Sequence, residues 1–190
     1  MEHGRNRNIA TTNAAWLRAQ VILGGSNMSN SPLVFISHSE ADTQRLGQAL
    51  AAELPLRATV ALNGTLGAGK TRLVQALAAA SGVDRHSVVS PTFVLVQEYH
   101  GVRTIYHIDA YRVRDDDEFL ALGVDEYFYE DAVVLIEWAE RVENCLPVER
   151  LTIDIEVTGP DERRFVLSAV GSELQATLVD LAVRCARDEG

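Results

Sequence analysis

Lysine is nearly missing from this chain of 190 residues: of 17 basic residues only Lys70 is a lysine, and all the others are arginine. Cysteine is scarce as well. Two residues, Cys145 and Cys185, stand far apart with no metal-ligand spacing. That excludes a disulfide framework and reads as free thiols of a reducing compartment. Positive charge is in short supply, 17 basic against 27 acidic residues, for a net charge of −10 and a pI near 4.9. A chain this acidic is a poor candidate for gripping nucleic acid directly, because neutralising phosphates dominates that affinity. It also lacks the basic patch of a membrane-surface protein. No run of about 18 apolar residues is present, so no transmembrane helix is predicted. Arg18 and Gln20 break the apolar residues before Val21-Ile22-Leu23. A secretory signal needs an unbroken apolar stretch of about 7–15 residues, so a cytoplasmic location is expected.

What is present is ordinary globular material. Hydrophobic residues make up 47% and charged residues 23%, which excludes a disordered chain, a coiled coil and a collagen-like fibre. The length suits one domain able to bury roughly 70% of its unfolded surface. Residues 1–31 read as a flexible extension, with Gly24-Gly25-Ser26-Asn27 and Ser29-Asn30-Ser31-Pro32 as linker chemistry. A short helix around Ala14–Leu23 fits there. The compact domain is expected over residues 32–190.

Within it, Leu33–Ile36 predicts a strand. Ser39 with Asp42 three residues later opens a helix, and Pro55 stops it. Thr59–Leu62 is nearly all apolar, the mark of a strand buried on both faces. A glycine-rich turn and an alanine-rich helix over Arg72–Ala80 follow. Phe93–Tyr99 and Val102–Asp109 predict a hairpin about His100-Gly101. Then come a short helix at Asp115–Leu122, an apolar strand at Ala132–Ile136, strands at Leu151–Val157 and Arg164–Val170, and an amphipathic helix from Ser172 to about Arg184. Strands alternating with helices around a glycine turn argue an α/β fold, three-layered, with a mostly parallel central sheet plus antiparallel strands.

Gly64-Thr65-Leu66-Gly67-Ala68-Gly69-Lys70-Thr71 matches G-x-x-x-x-G-K-[ST] at every fixed position. The glycines let backbone amides turn inward around phosphate oxygens, and the helix that follows adds its dipole. Gly64, Leu66, Gly67, Ala68, Gly69, Lys70 and Thr71 are therefore the phosphate-binding candidates. Lys70 would reach the β- and γ-phosphates and the Thr71 hydroxyl would ligate Mg²⁺. The motif follows an apolar strand and opens a helix, the context that separates it from a chance glycine turn. A compact ammonium fits between phosphate oxygens where a planar guanidinium does not, so the lone lysine supports the same reading. It also disfavours GTP: the guanine loop of small GTPases needs a second lysine, so ATP is expected.

Phosphate chemistry needs a carboxylate for Mg²⁺ and a group to orient water. Asp109 and Glu137 both end apolar strands, the placement such residues take. His107 reads more as a packed strand histidine than a catalyst, and Asp115-Asp116-Asp117-Glu118 as solvated acids at a helix start. Ser90-Pro91-Thr92-Phe93 lies where a γ-phosphate-sensing switch belongs, with an ordinary strand-start turn as the equal alternative.

Taken together, Gly64–Thr71, Ser90-Pro91-Thr92-Phe93-Val94-Leu95-Val96, His107-Ile108-Asp109-Ala110-Tyr111-Arg112 and Ile136-Glu137-Trp138 resemble the TsaE family, bacterial P-loop ATPases of tRNA threonylcarbamoyladenosine biosynthesis. The resemblance spans about residues 33–175. It implies an ATPase that joins TsaB and TsaD, the proteins that place threonylcarbamoyl on adenosine 37 of ANN-decoding tRNAs, so that tRNA is met through partners. It further implies Thr71 and Glu137 as Mg²⁺ ligands, Asp109 as the catalytic acidic residue, Ser90 and Thr92 as the switch, and Trp138 beside the nucleotide. Thr43 and Arg163 would also contact the nucleotide. Ala110 and Val113 stand where the family usually has leucine, and Ala139 where it often has proline; none of these carries chemistry. Two other readings compete. A small-molecule or nucleoside kinase would need an arginine-rich lid, but Arg141 and Arg150 are isolated. A non-enzymatic ATP-binding module would not need Asp109 beside the loop.

Overall fold

The computed structural model describes residues 20, 21, 31–84, 87–89, 91 and 94–187. Its strands are β1 (Gln20–Val21), β2 (Leu33–Ser37), β3 (Ala58–Asn63), β4 (Val96–His100), β5 (Thr104–Asp109), β6 (Ala132–Glu137), β7 (Leu151–Val157) and β8 (Arg163–Ala169). The helices are α1 (Glu40–Glu53), α2 (Lys70–Ala80), α3 (Asp116–Leu120), α4 (Val124–Tyr127) and α5 (Ser172–Arg187). One eight-stranded sheet runs in the order β1-β2-β8-β7-β3-β6-β5-β4. Its middle, β7-β3-β6-β5, is parallel, and antiparallel strands extend it on both sides. The α/β architecture is thus the one the strand–helix alternation predicts.

Strand side chains alternate between faces, and here the alternation sorts two cores. Val60, Leu62, Ile105, Val133 and Leu135 point to one face and pack with α1, α2 and α5 through Leu46, Leu50, Leu73, Leu77, Leu178 and Leu181. Ala61, Tyr106, Ile108, Val134 and Ile136 point to the other and meet Phe119 of α3 and Val124 of α4. The sheet is the middle of three layers. β6 is buried along its whole length, as its unbroken apolar run requires. The same parity has a consequence for chemistry. His107 and Asp109 continue the Ile105 row, and Glu137 continues the Val133–Leu135 row, so all three face the side on which α2 begins.

Several local expectations differ from the structure. Gln20 and Val21 pair with Leu33 and Val34 as a short strand, where a helix over Ala14–Leu23 was expected; the rest of that segment lies outside the described residues. The hairpin's first strand begins at Val96 rather than Phe93. The Val94 and Leu95 amides both donate to the Pro91 carbonyl, at 3.0 and 2.6 Å, and Leu95 is left-handed at φ 65°. A turn therefore occupies what reads as a continuous apolar run. The helix α4 is unforeseen: Gly123, at φ 73°, restarts the chain for four residues after α3.

Candidate active site

The loop between β3 and α2 is built for an approaching group. Gly67 and Gly69 hold φ of 78° and 108°, which L side chains rarely adopt. Among the described residues, no atom beyond the chain neighbours lies within 4 Å of where a Cβ on either would sit, so these residues leave the space above the loop open. Gly69 takes the N-cap position of α2 without a side-chain cap, which leaves the first-turn amides to an external partner. Leu66, at the loop's tip, is 79% exposed, and Ala68, at its floor, is fully buried.

Lys70 is buried although charged. Its Nζ donates to the carbonyls of Gly64 at 2.6 Å and Thr65 at 3.1 Å. It also lies 3.6 Å from the centre of the Trp138 ring, a cation–π contact. Burial pushes the ammonium's pKa below its usual value, opposed by the charges of Glu137, Glu140 and Asp109. The indole is aimed by the backbone: Trp138 is left-handed at φ 59°, and its amide donates to Leu62 O at 3.0 Å. A bulky residue rarely holds such a φ outside a functional site. Tyr111 packs against the indole in a tilted contact, ring centres 4.9 Å apart.

One residue on, Thr71 meets Glu137. The Thr71 hydroxyl contacts both carboxylate oxygens, at 2.8 and 3.0 Å. Glu137 is 3% exposed and also accepts from His107 Nε2 at 2.8 Å. Asp109 is its register partner on β5 and equally buried. The Asp109 carboxylate accepts from the Tyr111 amide at 2.9 Å, capping the turn that follows β5. Two carboxylates thus end adjacent parallel strands beside the start of α2.

Thr43 and Arg163 lie apart from this cluster, on a cleft of about 480 Å³ between α1, α2 and the β7–β8 turn. Ser39, Gly67, Arg72 and Asp161 also line it. Thr43 shares a hydrogen bond of 3.0 Å with Ser37. Arg163 is held by backbone carbonyls: Nε donates to Ala68 O at 3.0 Å, and Nη1 to Gly159 O, Pro160 O and Glu162 O. It braces the glycine loop against the β7–β8 turn while lining the cleft. Ser90 and Thr92 lie outside the described residues. The structure therefore brings together Lys70, Thr71, Asp109, Glu137 and Trp138, and sets Thr43 and Arg163 along the adjoining cleft.

Sequence reasoning missed two participants. Tyr111, against the indole, stands within the His107–Arg112 motif, but nothing in the sequence marks its contact with Trp138. His107 reads in the sequence more as a packed strand histidine than a catalyst, yet strand parity from Asp109 places it on the site's face. As for a cation, no group of three His, Cys, Asp or Glu side chains among the described residues is arranged to hold one. Thr71 and Glu137 alone suit a cation that keeps waters and takes phosphate oxygens, which is the habit of Mg²⁺.

The family profile described as "Threonylcarbamoyl adenosine biosynthesis protein TsaE" matches residues 37–165. A Bacillus subtilis (strain 168) tRNA threonylcarbamoyladenosine biosynthesis protein TsaE is 44% identical over 122 residues, 64% of this chain and 75% of that protein. The Treponema pallidum (strain Nichols) protein of the same name is 38% identical over 133 residues, 70% of this chain and 98% of its own. The crystal structure of Bacillus subtilis YdiB superposes with a TM-score of 0.68 at 31% identity, covering 87% of this chain and 100% of that one. The profile's span runs from the end of β2 through the glycine loop and both carboxylates into β8, and this chain belongs to the TsaE family.

Proposed function

We propose that this chain is a Mg²⁺-dependent ATPase serving the formation of N6-threonylcarbamoyladenosine in tRNA, and that it works with TsaB and TsaD. The observation that carries the ATPase reading is the Thr71–Glu137 contact at the uncapped start of α2. A hydroxyl and a carboxylate, both oxygen donors, converge there beneath an open glycine loop. The names of the relatives support the biosynthetic role, and the absence of a second lysine supports ATP.

Each residue's part follows from its place. The first-turn amides of α2 and the Lys70 ammonium take the β- and γ-phosphates. Thr71 and Glu137 would hold Mg²⁺, which when bound neutralises charge developing on the phosphate oxygens. Asp109 faces the same space and would orient the attacking water and accept its proton. The adjoining cleft takes the base and ribose, with Thr43 at its wall. Trp138 shields the Lys70 ammonium from solvent and so strengthens its field at the phosphates. Ser90 and Thr92 would sense the γ-phosphate, and a docked partner would read that state. An acidic chain of net charge −10 meets tRNA through such partners.

The test is phosphate release from ATP by the purified chain, alone and with its cognate TsaB and TsaD, with tRNA modification followed in parallel. Slow turnover alone and faster turnover with both partners is expected. Modification that proceeds without this chain would overturn the biosynthetic role. Stoichiometric transfer of phosphate to a nucleoside without partners would make it a kinase.

A further inference from the structure

His107 is the most buried polar residue of the site, with no exposed surface, and the reading above gives it no part. Its Nε2 lies 2.8 Å from Glu137 Oε1. Its Nδ1 is buried with no hydrogen-bond partner among the described residues. The pairing fixes the ring's tautomer. With hydrogen on Nε2, the ring donates to the carboxylate and leaves only a lone pair unmatched at Nδ1. With hydrogen on Nδ1 instead, a donor would be buried unpaired, and the Nε2 lone pair would face a carboxylate oxygen; both are unfavourable. Sheet parity explains why this residue reaches: β5 and β6 are parallel, and His107 pairs with Leu135, two residues before Glu137 on the same face. The Tyr99 ring, 6.3 Å from the imidazole, stands on its β4 side.

We propose that His107 is a positioning residue for Glu137, donating from Nε2 to hold the carboxylate in the orientation that faces Thr71. The Thr71 hydroxyl is a shared tether, since it is itself a donor to Glu137 and the second oxygen offered to a cation. When that hydroxyl turns to a cation, His107 remains to keep Glu137 in place. Groups that orient a ligating carboxylate in this way commonly change metal affinity by about 10–100-fold when removed. The inference rests on Glu137 serving Mg²⁺ in the function proposed above.

The experiment has one arm that needs no nucleotide. Long-range ¹H–¹⁵N correlation spectra of the wild-type chain should show His107 hydrogen on Nε2; an Nε2 without hydrogen overturns the inference. The second arm measures ATP affinity by calorimetry with Mg²⁺ and with EDTA. His107→Leu should shrink the Mg²⁺-dependent gain in affinity by about tenfold or more, with the EDTA value within about twofold of wild type. His107→Gln, whose amide reaches toward the Nε2 position, should restore most of the gain, and the shorter His107→Asn should not. The Gln/Asn pair decides the matter even if the leucine variant fails to fold. A full Mg²⁺ gain in folded His107→Leu or His107→Asn overturns this inference alone. No Mg²⁺ gain in the wild type overturns the function reading and this inference together.

Discussion

Helices α1 and α2 lie side by side and begin in opposite ways. α1 starts conventionally: Ser39 accepts from the Asp42 amide, and Glu40 and Asp42 place negative charge in its first turn. Both features complement the positive end of a helix dipole. α2 has neither. Its cap position is a left-handed glycine without a side chain, its first turn holds no acid, and Lys70 and Arg72 put positive charge where the dipole disfavours it. Glu40 answers Arg72 from across the gap at 3.3 Å. Among the described residues, glycine-loop carbonyls and an indole face meet the Lys70 ammonium in direct contact. A fold that can cap one helix leaves its neighbour uncapped, and in the function proposed above that end is kept for an anion. On that reading the ligand would supply at α2 what the sequence omits.

The contrast is sharpened most by separating what α2 binds from what the strand ends do. Asp109→Asn keeps the shape of a group whose carboxylate caps the turn after β5. ATP should still dock, while its hydrolysis should fall by about 10²–10⁴ if Asp109 acts on water. Single-turnover phosphate release beside an ATP titration reads both quantities. Unchanged turnover would remove Asp109 from the chemistry.

Lys70→Ala attacks the binding half directly. One charge-assisted contact is worth about 1.5–3 kcal/mol, roughly ten- to hundredfold in ATP affinity. Stability should move differently. Burial lowers the Lys70 pKa, so the buried ammonium opposes folding at all pH values below its folded pKa. That penalty fades as pH rises from there toward the unfolded value. A Lys70→Met variant should therefore lose ATP without losing thermal stability at neutral pH, as calorimetric binding and melting scans on one sample would show. Wild-type ATP affinity in either variant would refute the role of the glycine loop.

The crossing of the two helices gives a third way in. A Cβ added to Gly47 on α1 would come within 2.4 Å of the Ala76 Cβ and 2.9 Å of the Leu77 backbone nitrogen on α2. Gly47→Ala must push the helices apart, at about 1–3 kcal/mol as an overpacking change. The cleft they wall contains Thr43 and Ala76, so ATP affinity should weaken along with the denaturation midpoint. A midpoint shift with intact ATP affinity would detach the cleft from nucleotide binding.

How much of this was legible from sequence follows the same division. The glycine loop is readable because the phosphate binding proposed for it needs fixed residues at fixed spacing along one stretch of chain. Asp109 and Glu137 are readable because each ends an apolar run, and parallel strands bring such ends together. The cleft was poorly readable: its walls come from α1, α2 and the β7–β8 turn, remote in sequence, and the wall residues are ordinary. Arg163 illustrates this, since four backbone carbonyls that occupy its guanidinium leave no trace in a sequence. The strand start at Val96 was misplaced for a local reason, the paired amides on Pro91 O. His107 was half-read, its burial foreseen and its bond to Glu137 not.

The smallest effect belongs to the conventional helix. Ser39→Ala removes a cap whose Oγ accepts from the Asp42 amide at 3.3 Å, a long bond on a residue only partly buried. Losing such a cap typically costs about 1 kcal/mol of stability. The length of this bond and the Asp42 carboxylate, which accepts from the His38 amide at 2.8 Å and so ties down the same turn independently, favour the lower end of the usual range, near 0.5 kcal/mol. Urea denaturation, with the slope unchanged and the midpoint slightly lowered, is the measurement. ATP should still bind, because Ser39 lines the cleft but the end proposed to accept the phosphates belongs to α2. If Ser39→Ala instead removed ATP binding while the fold survived, the start of α1 would be as much a part of the site as the start of α2, and the division between a helix that caps itself and one that waits for its ligand would fail.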